Sequence, residues 1–181
     1  MPASAKHLFT QPWFNGLRST LYAAAFIFAF GWIALQLRSF DRNFSFGLPS
    51  MTVVLGAVLM IAGAALAITC ISTFVLRGRG TPALFDPPRQ FVAVGPYRYV
   101  RNPMYIGGFV LLVGLALYLR SISVLLMVIV LMPACHLLVT LHEEPSLRRK
   151  FDGAYENYLA TVSRWLPRTP RANTGSASLP S

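Results

Sequence analysis

Gly95-Pro96-Tyr97-Arg98-Tyr99-Val100-Arg101-Asn102-Pro103-Met104-Tyr105 stands immediately before a long apolar run. Two arginines, three tyrosines, two prolines and an asparagine are packed into these residues. Pro103 suits the first turn of a helix, where its missing N–H costs no bond. Asn102 then falls at the N-cap, since the residue before proline avoids the α region. The N-terminal end of such a helix offers unpaired N–H groups and a positive dipole end. Guanidiniums and ring faces beside it suit an anionic, planar ligand. The same residues would also build a membrane-interface belt, where Tyr and Arg collect without a ligand.

The apolar run after Pro103 is one of four. Segments 19–37, 51–76, 102–119 and 121–141 contain no Asp, Glu, Lys or Arg. Each is near the roughly 20 residues that cross a bilayer core. With 55% hydrophobic residues, 12% charged residues and a mean hydropathy of +0.54, the chain reads as an all-α integral membrane protein of about four transmembrane helices. Segment 51–76 carries Gly56, Ala57, Gly63, Ala64 and Ala67, small residues that let helix backbones approach in lipid. Arg120 and Ser121 leave room only for a tight turn, so the third and fourth helices form an antiparallel hairpin. Pro133 should kink the fourth.

A net charge of +10 raises the question of a nucleic-acid partner, and its distribution answers against one. With four spans, 13 of the 16 Lys and Arg residues share a side with both termini, and only Arg38, Arg42 and Arg120 lie opposite. This is the positive-inside pattern and predicts cytoplasmic termini. The first apolar run follows Lys6 and Arg18 like a signal sequence, but no small-residue cleavage site follows it, so a retained helix is expected. Cys70 and Cys135 fall within spans and read as apolar fillers without a disulfide.

Residues 1–18 read as an interfacial lead-in, with Trp13 and Phe14 as belt aromatics. The 77–101 loop is long, polar and broken by Gly78, Gly80, Pro82, Pro87 and Pro88. The fourth helix ends in His142-Glu143-Glu144, where adjacent acids would oppose the macrodipole. A tight hairpin returns these acids to the level of Pro103, giving one pocket lined by Arg101, Asn102, Tyr105, Glu143 and Glu144. Mixed acid and base at one place suits a zwitterionic ligand. Beyond it, Phe151, Tyr155, Tyr158, Leu159 and Val162 form one apolar helical face of an amphipathic cytoplasmic helix. Its Arg148, Arg149 and Lys150 are placed to meet lipid phosphates. Trp165-Leu166-Pro167 should end that helix, and residues 169–181 read as a disordered tail. His136 and His142 lie on nearly opposite helix faces, so no metal site is expected. Neither a nucleophile elbow nor a phosphate-binding glycine loop is present.

The run GPYRYVRNPMYIGG, the apolar hairpin, EEPSL, FDGAYENY and V-x-R-x-L-P together resemble the membrane methyltransferases, the isoprenylcysteine carboxyl methyltransferase and phospholipid N-methyltransferase superfamily. The resemblance covers residues 85–168 within a domain taken as 19–168. It implies an enzyme that binds S-adenosyl-L-methionine and methylates a lipid-like acceptor drawn from the bilayer. Its Arg-His-Pro-x-Tyr motif maps onto Arg101, Pro103 and Tyr105, with Asn102 where many members carry histidine. Asn cannot titrate, so an acid–base role there is altered. The resemblance further implies that Arg89, Gln90, Phe91, Val92, Tyr97, Asn102, Pro103, Met104, Tyr105 and Glu143 border the cofactor, Glu143 gripping its ammonium group. Arg101, Asn102 and Glu144 would serve the reaction; an amine acceptor must lose a proton, for which Glu144 or bulk water would be the base. Val139 stands where the carboxyl methyltransferases are expected to have a substrate-facing arginine, which points away from a prenylcysteine carboxylate. The alternatives are an NADPH-dependent membrane sterol-type reductase, whose ending is similar, and a small non-enzymatic membrane scaffold.

Overall fold

The structure, a computed structural model, describes residues 12–43, 47–78 and 93–167. Arg89, Gln90, Phe91 and Val92 therefore lie outside the described residues, as do most of the lead-in and the whole 169–181 tail. Every regular element among the described residues is helical. Helix α1 spans Pro12–Leu37 and is followed by a 3-10 segment, Arg38–Asn43. Helix α2 spans Thr52–Thr73 and widens into a π turn at Phe74–Gly78. A 3-10 turn at Gly95–Arg98 precedes α3, Pro103–Tyr118. Helix α4, Ile122–Leu138, passes through a π turn at Val139–Glu143 directly into α5, Glu144–Thr161. Two of these helical runs, Thr52–Arg77 and Ile122–Thr161, are long and apolar enough to cross a membrane, and Pro103–Tyr118 is a shorter apolar helix. The uncharged stretches within these runs suit helices, because a helix satisfies its own backbone groups where water is absent.

Among the described residues the closest packing is between α2 and α3, and glycine makes it possible. A Cβ added at Gly56 would lie 2.5 Å from the Tyr118 nitrogen, and one at Gly63 would lie 2.5 Å from the Leu111 nitrogen. From the other side, a Cβ at Gly114 would meet the Met60 nitrogen at 2.6 Å, and one at Gly107 the Gly63 oxygen at 3.0 Å. In each helix the two glycines sit close to two full turns apart, on one face. The interface is thus backbone against backbone, as the small residues of 51–76 predict.

Helices α3 and α4 form the expected hairpin. Arg120 takes a left-handed conformation, φ 54°, and the Ser121 hydroxyl caps α4 by accepting from the Val124 N–H at 3.2 Å. The connections gather at this end: Arg120 Nε donates to the Leu48 carbonyl at 2.7 Å, and the Ser123 N–H to Asp41 Oδ1 at 2.8 Å. At the opposite end lie the 95–105 stretch, the close of α2 and the π turn. There Gly95, at φ +61°, faces the Thr73 hydroxyl, and buried Tyr97 packs on Cys70.

Several expectations change. Helix α1 begins at Pro12 rather than near 19, with proline in its first turn. The fourth helix does not stop at His142: helical backbone continues through the widened turn. Pro145 has no N–H to offer the Leu141 carbonyl, and its ring would crowd that carbonyl in regular α geometry, so the turn opens just before it. The expected conflict of Glu143 and Glu144 with a helix C-terminus does not arise. Helix α5 is interrupted at Asp152, φ 41° and ψ −127°, and ends at Thr161, before Trp165. Val162 is extended, and Ser163 pairs in parallel with Val100.

Candidate functional site

The site is built at the end of the bundle where α3 begins. Tyr105, in the first turn of α3, donates its hydroxyl to Glu143 Oε1. The two residues stand 38 positions apart, and the α3–α4 hairpin returns them to one level. The second oxygen of Glu143 accepts no hydrogen bond among the described residues. Glu143 lies just past the apolar run that closes at Leu141. Burial pushes its carboxyl above the ordinary range; the Tyr105 hydrogen bond works against that shift and the neighbouring Glu144 adds to it.

Glu144 turns the other way, as adjacent helical residues must, and is buried between two guanidiniums. Arg101 Nη1 donates to its Oε1 at 2.9 Å. Arg164 donates Nε to Oε1 at 2.7 Å and Nη2 to Oε2 at 2.8 Å, a bidentate fork. Burial would raise the Glu144 carboxyl, but the Arg164 hydrogen bonds and the charges of Arg101 and Arg164 outweigh it and hold the group below its usual value. Arg101 Nε is buried with no acceptor among the described residues.

The chain after α5 closes one side of the site. The Arg101 N–H donates to the Ser163 carbonyl at 2.9 Å, and Asn102 Nδ2 donates to the Arg164 carbonyl at 3.2 Å. Asn102 occupies the N-cap position of α3, but its side-chain oxygen makes no capping bond; its amide nitrogen donates to this strap. Tyr158 in α5 donates to the Tyr97 carbonyl at 2.6 Å. Trp165 stands edge-on to Tyr105, ring centroids 6.3 Å apart, and donates its indole N–H to His136 Nδ1 at 3.0 Å.

The structure therefore brings together Arg101, Asn102, Tyr105, Glu143 and Glu144. Pro103 and Met104 open α3 beside them, Pro103 fully buried and Met104 packed near Tyr97 and Cys70. Tyr97 contributes a buried ring, and its carbonyl accepts from Tyr158. Val139 is buried inside the π turn. Arg164 and Trp165 are the residues the sequence reading underused. The V-x-R-x-L-P run contains both, but sequence alone gives Arg164 no partner and places Trp165 only at a helix stop.

The group the resemblance implies carries an ammonium and a carboxylate at one end, and the residues present fit it. Glu143 has an oxygen available to a cation, and Arg101 has a buried donor without an acceptor among the described residues. A family model described as phospholipid methyltransferase matches residues 51–154 of the chain. No curated protein and no solved structure matches.

Proposed function

The chain belongs to the phospholipid methyltransferase family, and from that premise we propose that it transfers a methyl group from S-adenosyl-L-methionine to a lipid-like acceptor partitioned in the bilayer. The carrying observation is the meeting of Tyr105, Glu143 and the Arg101–Glu144–Arg164 cluster at one end of an apolar helical bundle. Glu143 holds the donor's ammonium, Tyr105 orients that carboxylate, and Arg101 Nε serves an anionic group. When bound, S-adenosylmethionine supplies a methyl group already activated by a sulfonium. The residues of the chain then need only align donor and acceptor and exclude water. Glu144, held acidic by two guanidiniums, is a weak base; its part is to lock Arg101 and the strap in place. An amine acceptor would give its proton to bulk water at the membrane face. With Val139 buried where a carboxylate-binding arginine would stand, an amine or thiol acceptor fits better than a prenylcysteine carboxylate.

The same reading takes segments 19–37, 51–76, 102–119 and 121–141 as four spans with both termini cytoplasmic. It is supported by the grouping of Arg38, Arg42 and Arg120 at one end of the bundle and the site at the other. The lipid bilayer is then the main partner.

The test is direct binding to detergent-purified protein, S-adenosylmethionine against NADPH, followed by a labelled-methyl screen over a lipid extract. Binding of the methyl donor with label appearing in a lipid is the expected result. Binding of NADPH alone would replace this reading with the reductase, and binding of neither would leave the scaffold.

A further inference from the structure

We propose that Trp165 and His136 are positioning residues that fix the ring of Tyr105, and through it the carboxylate of Glu143, for the methyl donor. The inference rests on the methyltransferase reading and assigns to it two side chains outside the pocket motifs.

Trp165 lies in an irregular segment, where nothing in the local backbone sets the direction of its indole. Two contacts do so. On one side, the indole N–H is given to His136 Nδ1 at 3.0 Å; on the other, the ring stands edge-on to Tyr105 at 6.3 Å, 80° between planes. The segment itself is tied down immediately before Trp165, where Arg164 forks onto Glu144 and the Ser163 carbonyl takes the Arg101 N–H. Indole is a donor only, so a half-buried tryptophan in this place requires an acceptor. His136 meets that need with its proton on Nε2, the tautomer that leaves Nδ1 as acceptor. The Tyr105 hydroxyl points wherever the ring points. Its donation to Glu143 therefore depends on the face against which the ring rests, and Trp165 supplies that face together with the Phe109–Leu112–Val128 cluster. The order of support is His136 to Trp165 to Tyr105 to Glu143. No hydrogen bond joins His136 to Glu143 among the described residues, so its route to that carboxylate runs through Trp165 and Tyr105.

The experiment uses full-length protein in detergent with S-adenosylhomocysteine, a non-reactive probe of the donor site. His136→Leu removes the acceptor, and His136→Asn restores an oxygen near the position of Nδ1. Losing one neutral hydrogen bond that orients a binding residue should weaken the probe about two- to tenfold. His136→Leu is expected to show that loss and His136→Asn to recover most of it. In a Tyr105→Phe background the two His136 variants should bind alike, since the link to Glu143 is already cut. A protein in which Trp13 and Trp32 are phenylalanine reports Trp165 emission alone, and that emission should shift in His136→Leu and return in His136→Asn. Trp165→Phe should weaken the probe by no less than His136→Leu; should it misfold, the His136 pair still decides. Equal affinity in wild type and His136→Leu, or no recovery in His136→Asn, would overturn the positioning role while leaving the methyltransferase reading standing. Failure of wild-type protein to bind the probe at all would remove that reading, and this inference with it.

Discussion

Arg164 grips Glu144 through two parallel hydrogen bonds, Nε to Oε1 at 2.7 Å and Nη2 to Oε2 at 2.8 Å, joining the segment after α5 to the start of that helix. Arg101, just before α3, donates to the same carboxylate at 2.9 Å. One acid thus ties three pieces of chain together. Arg164→Lys keeps the charge and loses the planar fork. Removing a hydrogen bond to a charged group typically costs about 1.5–3 kcal/mol. A lowered thermal midpoint in detergent should follow, with the larger loss in Arg164→Ala. An unchanged midpoint in the alanine variant would mean that the strap is held by other contacts.

The two adjacent acids should respond to pH with opposite sign. Glu144 sits below its ordinary value of 4.5 in the folded protein. Its contribution is therefore fully present above that value and is lost as pH falls through the lower, folded value. Glu143 is raised above 4.5, so folding costs more as pH climbs from 4.5 through the folded value. Glu143→Gln should accordingly melt higher than wild type at neutral pH, and the difference should shrink on acidification. Thermal unfolding across that range checks both signs. A Glu143→Gln difference that grows toward acid would contradict the burial argument.

The opening 95–105 stretch made much of this legible. Proline at the start of α3, a two-residue turn at Arg120 and Ser121, and Glu143 at the far end of a hairpin suffice to place Tyr105 opposite Glu143. What could not be read was the course of the chain after the acids. Periodicity in 151–162 shows an apolar helical face but gives no sign of the break at Asp152. Nor does a local pattern show that Ser163 will pair beside Val100, because that pairing is set by contacts more than sixty residues apart. The N-cap rule named the position of Asn102 correctly and its bond wrongly: the side-chain oxygen accepts no capping N–H, and the amide nitrogen donates to a tertiary partner, the Arg164 carbonyl. The π turn was hidden for a similar reason. Pro145 signals a local irregularity, but a helix end and a widened turn answer that signal equally well.

The α2–α3 contact predicts an uneven response to one substitution. Gly63→Ala would put a methyl group 2.5 Å from backbone nitrogen of Leu111, where no side chain can rotate away. The helices must separate, at a cost of about 1–3 kcal/mol or more. Gly31→Ala in α1 meets nothing within 4 Å and should be neutral or slightly stabilising through helix propensity. Thermal unfolding of the pair in the same detergent makes the comparison. Equal midpoints would show that the close approach is not what holds α2 to α3.

Topology gives a prediction independent of the site. The four-span reading places residue 181 in the cytoplasm. A reporter active only in the cytoplasm, fused after that residue, should be active, and one inserted between Leu48 and Pro49 should be silent. The reverse pattern would turn the molecule over and put the Tyr105–Glu143 site on the face away from cytoplasmic methyl donor.

The sharpest prediction concerns Tyr105 and Glu143 as a pair. They share one hydrogen bond, and in the proposed site that bond aims the second carboxylate oxygen at the donor's ammonium. Glu143→Gln removes the charge and should weaken S-adenosylmethionine by roughly ten- to a hundred-fold, the equivalent of losing a charge-assisted hydrogen bond. Tyr105→Phe keeps the ring and loses only the orienting hydroxyl, so its effect should be smaller. Because the tyrosine acts through the carboxylate, the double variant should bind little worse than Glu143→Gln alone, well short of the sum. Binding should also strengthen as pH rises through the raised Glu143 value, since the ammonium is attracted to the ionised acid, and this dependence should vanish in Glu143→Gln. Calorimetry on the four proteins at several pH values measures all of these together. Unchanged affinity in Glu143→Gln would take the ammonium away from this residue. Strict additivity would mean that the two side chains meet the donor separately, with the bond between them incidental to binding.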